Sequence, residues 1–226
     1  MRGWVQVAGI RHAQEARACL EAGADLLGFP FRLPVHKEDL PEEEAARLIH
    51  DLGISSRAVL ITYLEDADAI QQLADELGCA WVQIHGHMDL QELERLRALD
   101  SRRRLMRSLV LRGDNVEAAL ATLRGCEAHV DAFLTDTHDP RSGADGATGL
   151  THDWRLSRRL RLATSKPLML AGGLRPGNVA QAIAAVGPAG VDAHTGLEDA
   201  LGAKDPALVM AFVEASRKAF LAMEAE

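Results

Sequence analysis

Eight short, almost continuously apolar runs recur along the chain, and longer amphipathic runs separate them. The apolar runs are VQVAG (5–9), LLGFPF (26–31), RAVLITY (57–63) and WVQIHG (81–86), then RLMRSLVL (104–111), AFLTDT (132–137), PLMLAGG (167–173) and GVDAHTG (190–196). Strands that alternate apolar and polar residues have one wet face. Strands that stay apolar throughout are buried on both, which is the condition of a parallel sheet. The intervening runs carry helix punctuation. HAQEARACLEAGA sets Ala13, Ala16, Ala18 and Leu20 near one face and ends at Gly23, and PEEEAARLIHDLG opens on a proline and an acidic turn and ends at Gly53. DPALVMAFVEASRKAF offers Asp205 as N-cap and Pro206 as first helical residue. Strict βα alternation demands parallel strands joined by crossover helices. Eight such units in 226 residues predict an α/β chain folded as one (β/α)8 TIM barrel, a single domain over 1–226. An open doubly wound sheet is the competing architecture. It usually carries G-x-G-x-x-G after its first strand, and VAGIRHAQ lacks that pattern.

The formal net charge is −8. An acidic surface argues against nucleic-acid binding, which needs clustered cations to displace counterions. No apolar run approaches the roughly 20 residues that a bilayer span needs, and the N-terminus carries no signal-peptide pattern. Cys19, Cys79 and Cys126 lie far apart in no ligand spacing, as buried thiols in a reducing compartment would. A cytoplasmic protein with no membrane or nucleic-acid partner, monomeric or homodimeric, is the expectation. The stretch THDPRSGADGATG (137–149) is long for a βα loop and is a candidate lid over a site.

In such a barrel the chemistry collects at the C-terminal strand ends. These ends read Ala8, Phe31-Arg32, Tyr63, His85, Arg107-Ser108, Asp136, Gly172-Gly173 and His194-Thr195-Gly196. Gly172, Gly173, Thr195 and Gly196 follow the last two strands, the usual phosphate position, where free N–H groups can cradle an anion. Asp136 is either a general acid or base or the cap of a turn. His85 and His194 can each act as acid, base or polar anchor, or simply bond at the rim. A His/Asp/His metal set is conceivable, but no ligand spacing supports it. Arg32, His36 and Lys37 follow the second strand and can hold a substrate anion or merely solvate a loop.

Taken in order, GADLLGFPF, VQIHG, GATGLTHDW, LAGGLRPGNV and GVDAHTGLEDALGAKD resemble the phosphoribosylanthranilate isomerases, tryptophan-pathway barrels that carry out an Amadori rearrangement. The likeness spans nearly the whole chain. It implies an aldose-to-ketose isomerisation of a phosphorylated aminosugar with no metal or organic cofactor. Asp136 would be the acid that protonates the ring oxygen, Asp192 would face the substrate, and Gly172, Gly173, Thr195 and Gly196 would hold the phosphate.

The departures bear on mechanism. The family's first strand ends Lys-Ile-Cys-Gly and its Cys is the general base, whereas this chain reads Gln6-Val7-Ala8-Gly9. A methyl group accepts no proton, and losing a general base should slow such a reaction roughly 10²–10⁴-fold. The family's carboxylate-binding Arg falls near Lys37, which keeps the charge but not the bidentate fork. The family's Ser-Ser before the last glycine becomes His194-Thr195, and for GATGLTHDW the family tends to read GGTG-x-x-FDW. Two expectations follow. The chain is an isomerase with a relocated base, His194 or His85, acting on phosphoribosylanthranilate or on a different sugar phosphate, or it is a non-catalytic or regulatory binder of a phosphorylated metabolite.

Overall fold

Each apolar run becomes a strand. The computed structural model describes residues 3–35, 37–113, 115–137, 149 and 151–224. Its strands are β1 (Trp4–Ala8), β2 (Leu26–Phe31), β3 (Ala58–Thr62), β4 (Trp81–Ile84), β5 (Arg104–Leu111), β6 (Ala132–Thr137), β7 (Leu168–Leu170) and β8 (Gly190–Ala193). They pair in parallel, in chain order, and β1 closes the ring on β8 with Gln6 opposite Asp192. The helices are α1 (Ala13–Glu21), α2 (Glu42–Asp51), α3 (Ala67–Leu77), α4 (Leu90–Leu99), α5 (Val116–Cys126), α6 (Trp154–Leu162), α7 (Val179–Val186) and α8 (Pro206–Glu224). The fold is the expected (β/α)8 barrel.

Strand parity sorts side chains into two apolar layers, because successive residues point to opposite faces. Odd positions of β1 and β2, among them Val5, Val7, Leu27, Phe29 and Phe31, pack outward against the helices. The opposite parity fills the lumen, where Ala8, Leu26, Val59, Trp81, Met106 and Met169 form a smaller cluster. Phe29, Phe31, Phe133 and Phe212 are fully buried in the outer layer, each worth about 1.5–3 kcal/mol in surface removed from water. Asp25 fastens the ring at its base. Its carboxylate accepts the Val5 N–H at 2.8 Å and Arg217 of α8 at 2.7 Å, so the last helix is tied to the first strand.

Three local expectations are corrected. The buried face of α1 is Glu15, Ala16 and Cys19, and Ala13, Ala18 and Leu20 are only partly covered. Glu15 is inside because it bonds two backbone donors, the N–H groups of Arg11 at 2.7 Å and Lys204 at 3.0 Å. Pro41 is the residue before α2 rather than inside it. Arg107 and Ser108 do not end their strand, since β5 continues to Leu111. Arg107 has outward parity and spends its guanidinium on the carbonyl oxygens of Ile84 and Gly86, with the first of these at 3.1 Å. At α8 the expectation holds, with Asp205 accepting the Ala207 N–H at 2.8 Å ahead of Pro206.

Candidate active site

Lumen parity at the upper strand ends belongs to Ala8, Gln83, Asp136 and Asp192, and these residues line one cleft of about 520 Å³. That size suits a small-molecule ligand. His85, His194, Thr195, Lys37 and Tyr63 line it too. A small recess opens beside it between the loops after β7 and β8. Gly172, Gly173, Thr195 and Gly196 line the recess together with Asp136 and Asp192.

A polar chain crosses the floor. Gln6 donates to Gln83 at 2.8 Å, and Gln83 in turn meets His85 Nε2 at 2.7 Å. The His85 ring lies 5.2 Å from that of Tyr63, tilted against it. Asp136 accepts the Thr137 N–H at 2.8 Å. Burial pushes the Asp192 carboxyl up to about 8, with the nearby Asp136 adding to the rise and a hydrogen bond from Gln6 opposing it. The Asp192 carboxyl therefore keeps its proton at neutral pH beside Asp136, because low dielectric and like charge both disfavour its ionised form. Asp192 Oδ1 is buried and has no hydrogen-bond partner among the described residues.

The wall beside Ala8 is built differently. The Ala8 methyl is opposite Gly28 in register, and a Cβ on Gly28 would stand 3.0 Å from it. The next residue, Gly9, has φ +76° and lies directly under the imidazole of His194, so that a Cβ there would land on the ring. His194 Nε2 is 3.1 Å from Glu198 Oε1. The same carboxylate takes a 2.7 Å bond from the buried Lys204 ammonium. Burial pushes the Glu198 carboxyl up, but the bonds from His194 and Lys204 outweigh it and hold the group at about 2.

The recess depends on glycine. Gly172 has φ +92°, and a Cβ there would fall on Thr137 Oγ1. Thr137 Oγ1 bonds His152 Nδ1 at 2.8 Å, and His152 Nε2 bonds Ser157 Oγ at 2.5 Å. Burial pushes the His152 imidazole down to about 4, against the pull of Asp153, so the ring is neutral. It braces the end of β6 against α6 immediately behind the glycine pair.

The family profile described as N-(5'phosphoribosyl)anthranilate (PRA) isomerase matches residues 5–215. The chain belongs to this family. It is 33% identical over 217 residues to N-(5'-phosphoribosyl)anthranilate isomerase 2 of Methanosarcina mazei, covering 96% of this chain and 95% of that one. It is similar in structure to the phosphoribosyl anthranilate isomerase of Thermotoga maritima, with 28% identity, a TM-score of 0.80, and coverage of 96% and 100%. It also matches a phosphoribosyl anthranilate isomerase solved in complex with reduced 1-(o-carboxyphenylamino)-1-deoxyribulose 5-phosphate, with 25% identity, a TM-score of 0.78, and coverage of 96% and 100%.

Within this isomerase frame the structure brings together Asp136, Asp192, His194, His85, Lys37 and the four recess residues. It does not bring in Arg32. That residue has φ 58°, and its guanidinium forms a two-point ion pair with Glu42, at 2.8 and 3.1 Å, outside the cleft lining. A guanidinium already matched to a carboxylate is a poor anchor for another. His36 lies outside the described residues, and so does the expected lid, apart from Thr137 and Gly149. Sequence reading passed over Gln6, Glu198, Lys204 and His152. The signal for Glu198 and Lys204 was present in GLEDALGAKD, two charged residues of a family motif with no stated role. No helix among the described residues is long and apolar enough to cross a membrane.

Proposed function

We propose that this chain isomerises phosphoribosylanthranilate, or a closely related phosphorylated aminosugar, with Asp136 as acid and His194 as base. The observation that carries the reading is convergence. A proton-holding carboxyl pair, a histidine ring laid over Gly9, and a glycine-lined recess all open on one cleft. The compound bound in the similar isomerase has a carboxyphenyl group at one end and a phosphate at the other. Here Lys37 stands in the cleft lining for the carboxylate, and Gly172, Gly173, Thr195 and Gly196 for the phosphate.

The one proton held by the carboxyl pair passes through Asp136 to the furanose ring oxygen as the amine lone pair breaks the C1–O bond, leaving an iminium and two aspartates. His194 then removes the C2 proton. The C–H electrons become the C1=C2 bond and the C=N electrons return to nitrogen, giving an enolamine that tautomerises to the aminoketone. Oxidation at C2 equals reduction at C1, so no external electron carrier enters. Asp192 is the store from which Asp136 draws that proton, and the pair takes a proton back from solvent once the ketone has formed.

His85 is a weaker candidate for the base, because its Nε2 already meets Gln83. A turnover assay tests the reading. Asp136→Asn should abolish conversion, and His194→Ala should lower kcat by about 10²-fold or more. An unchanged rate in Asp136→Asn rules the reaction out, and an unchanged rate in His194→Ala removes the base. Binding of a phosphorylated substrate with no conversion by the wild type would leave a metabolite-binding barrel instead.

A further inference from the structure

His194 belongs to a small constellation that is separate from the carboxyl pair. The segment after β8 makes a short 3₁₀ turn, Thr195–Leu197. It then folds back so that Glu198 and Lys204 face each other as an isolated antiparallel bridge. Their side chains join at the base of this hairpin, Nζ to Oε1 at 2.7 Å, with the lysine side chain 1% exposed. The hairpin is fixed from below, because Glu15 of α1 accepts the Lys204 N–H at 3.0 Å and the Arg11 N–H at 2.7 Å. The Glu198 carboxylate therefore has one position, and its Oε1 atom points at His194 Nε2, 3.1 Å away.

A carboxylate only accepts, so Nε2 must carry the hydrogen. A neutral imidazole with hydrogen on Nε2 has its lone pair on Nδ1, and no described residue bonds that atom. The ring cannot slide away from Glu198 without losing its seat over Gly9. The other charged groups around it are Asp39, Arg11 and Lys204. Asp39 is raised by burial and lowered by His194 and Lys204, so it is part of the same electrostatic cluster. When His194 takes a proton, Glu198 stands against the new charge, the role a carboxylate plays behind a catalytic histidine elsewhere.

We infer that Glu198, held by Lys204, is a positioning residue that fixes His194 in the Nε2–H tautomer and presents Nδ1 as the proton acceptor that replaces the missing side chain at Ala8. The inference rests on His194 being the base. No residue at position 8 is then needed, because the proton acceptor has moved from the first strand to the loop after the last, its neighbour in the ring.

Two measurements test it. The first is the pH profile of kcat in Glu198→Gln and Glu198→Asp. Glu198→Gln should lower kcat by about 10-fold or more and move the acidic limb to lower pH, because the imidazolium loses its counter-charge. Glu198→Asp should recover part of both. The second needs no mutant of Glu198. The ring nitrogens of ¹⁵N-histidine-labelled wild type, with the His194 signals assigned by their loss in His194→Asn, should show hydrogen on Nε2 and none on Nδ1 above the acidic limb. A wild-type ring with hydrogen on Nδ1 overturns the assignment, as does a Glu198→Gln enzyme with unchanged kcat and an unmoved limb. If His194→Ala is slow while Glu198→Gln is not, the positioning role falls and the base survives. If His194→Ala is as fast as wild type, both fall, and Asp136→Asn still reports whether the isomerase reading stands.

Discussion

At position 9 the chain needs a residue without a side chain, for two separate reasons. Its φ of +76° lies where L residues with a Cβ are strained, and the space above it is taken by the His194 ring. Gly9→Ala should therefore lose roughly 1–2 kcal/mol from backbone strain and displace the imidazole from Glu198. The expected result is a lower melting temperature together with a kcat reduced toward that of His194→Ala. A variant that melts lower but turns over normally would show that the ring does not depend on its seat. The methyl group where a base is expected was legible because Ala8 ends the first strand, where the resembled family carries its Cys. His194 was also legible as a candidate, since it stands at the end of the eighth strand. What joins them was not. The contact between Gly9 and His194 bridges 185 positions and exists only once the ring closes, and the Glu198 bond is set by a hairpin that no periodicity announces.

The elements after β6, β7 and β8 act as one unit around the recess. Gly172 passes under Thr137, Thr137 bonds His152, and His152 bonds Ser157 of α6. A Cβ at position 172 would push the loop off this brace. Gly172→Ala should raise the KM for the phosphorylated substrate by about tenfold or more, the scale of one charge-assisted hydrogen bond, with a smaller change in kcat. Initial-rate kinetics over a range of substrate concentrations check this, and an unchanged KM would place the phosphate elsewhere. The glycine pair and its location were readable from strand order alone. His152 was visible only as a departure from an aromatic position, because its partners come from β6 and α6 and its burial is a property of the packed layer. The pairing of Arg32 was hidden for the same kind of reason. Proximity in sequence to the second strand end says nothing about Glu42 waiting on the next helix.

Across the whole molecule, buried titrating groups set opposing pH trends. His152 is held neutral, with its folded value down at about 4 from 6.5. Its contribution to stability is complete above pH 6.5 and is lost as pH falls through 4. Asp192 is the reverse. Raised from 3.8 to about 8, it contributes most below 3.8, and that contribution is lost as pH rises through 8. Denaturant unfolding at pH 7 and pH 5 separates them. His152→Phe should lose less stability than wild type across that interval, and an equal loss would mean that the imidazole is not the group being titrated. The barrel itself was legible throughout, because eight apolar runs buried on both faces leave few other ways to cover a parallel sheet. The proposal turns on His194 as the group that takes the substrate proton in a chain with a methyl group at position 8. The most direct test is turnover of phosphoribosylanthranilate by three proteins side by side: wild type, His194→Ala, and His194→Ala carrying Ala8→Cys. Conversion by the wild type, loss of about 10²-fold in the single variant, and partial recovery in the double variant are predicted. A His194→Ala enzyme as fast as the wild type would contradict the account.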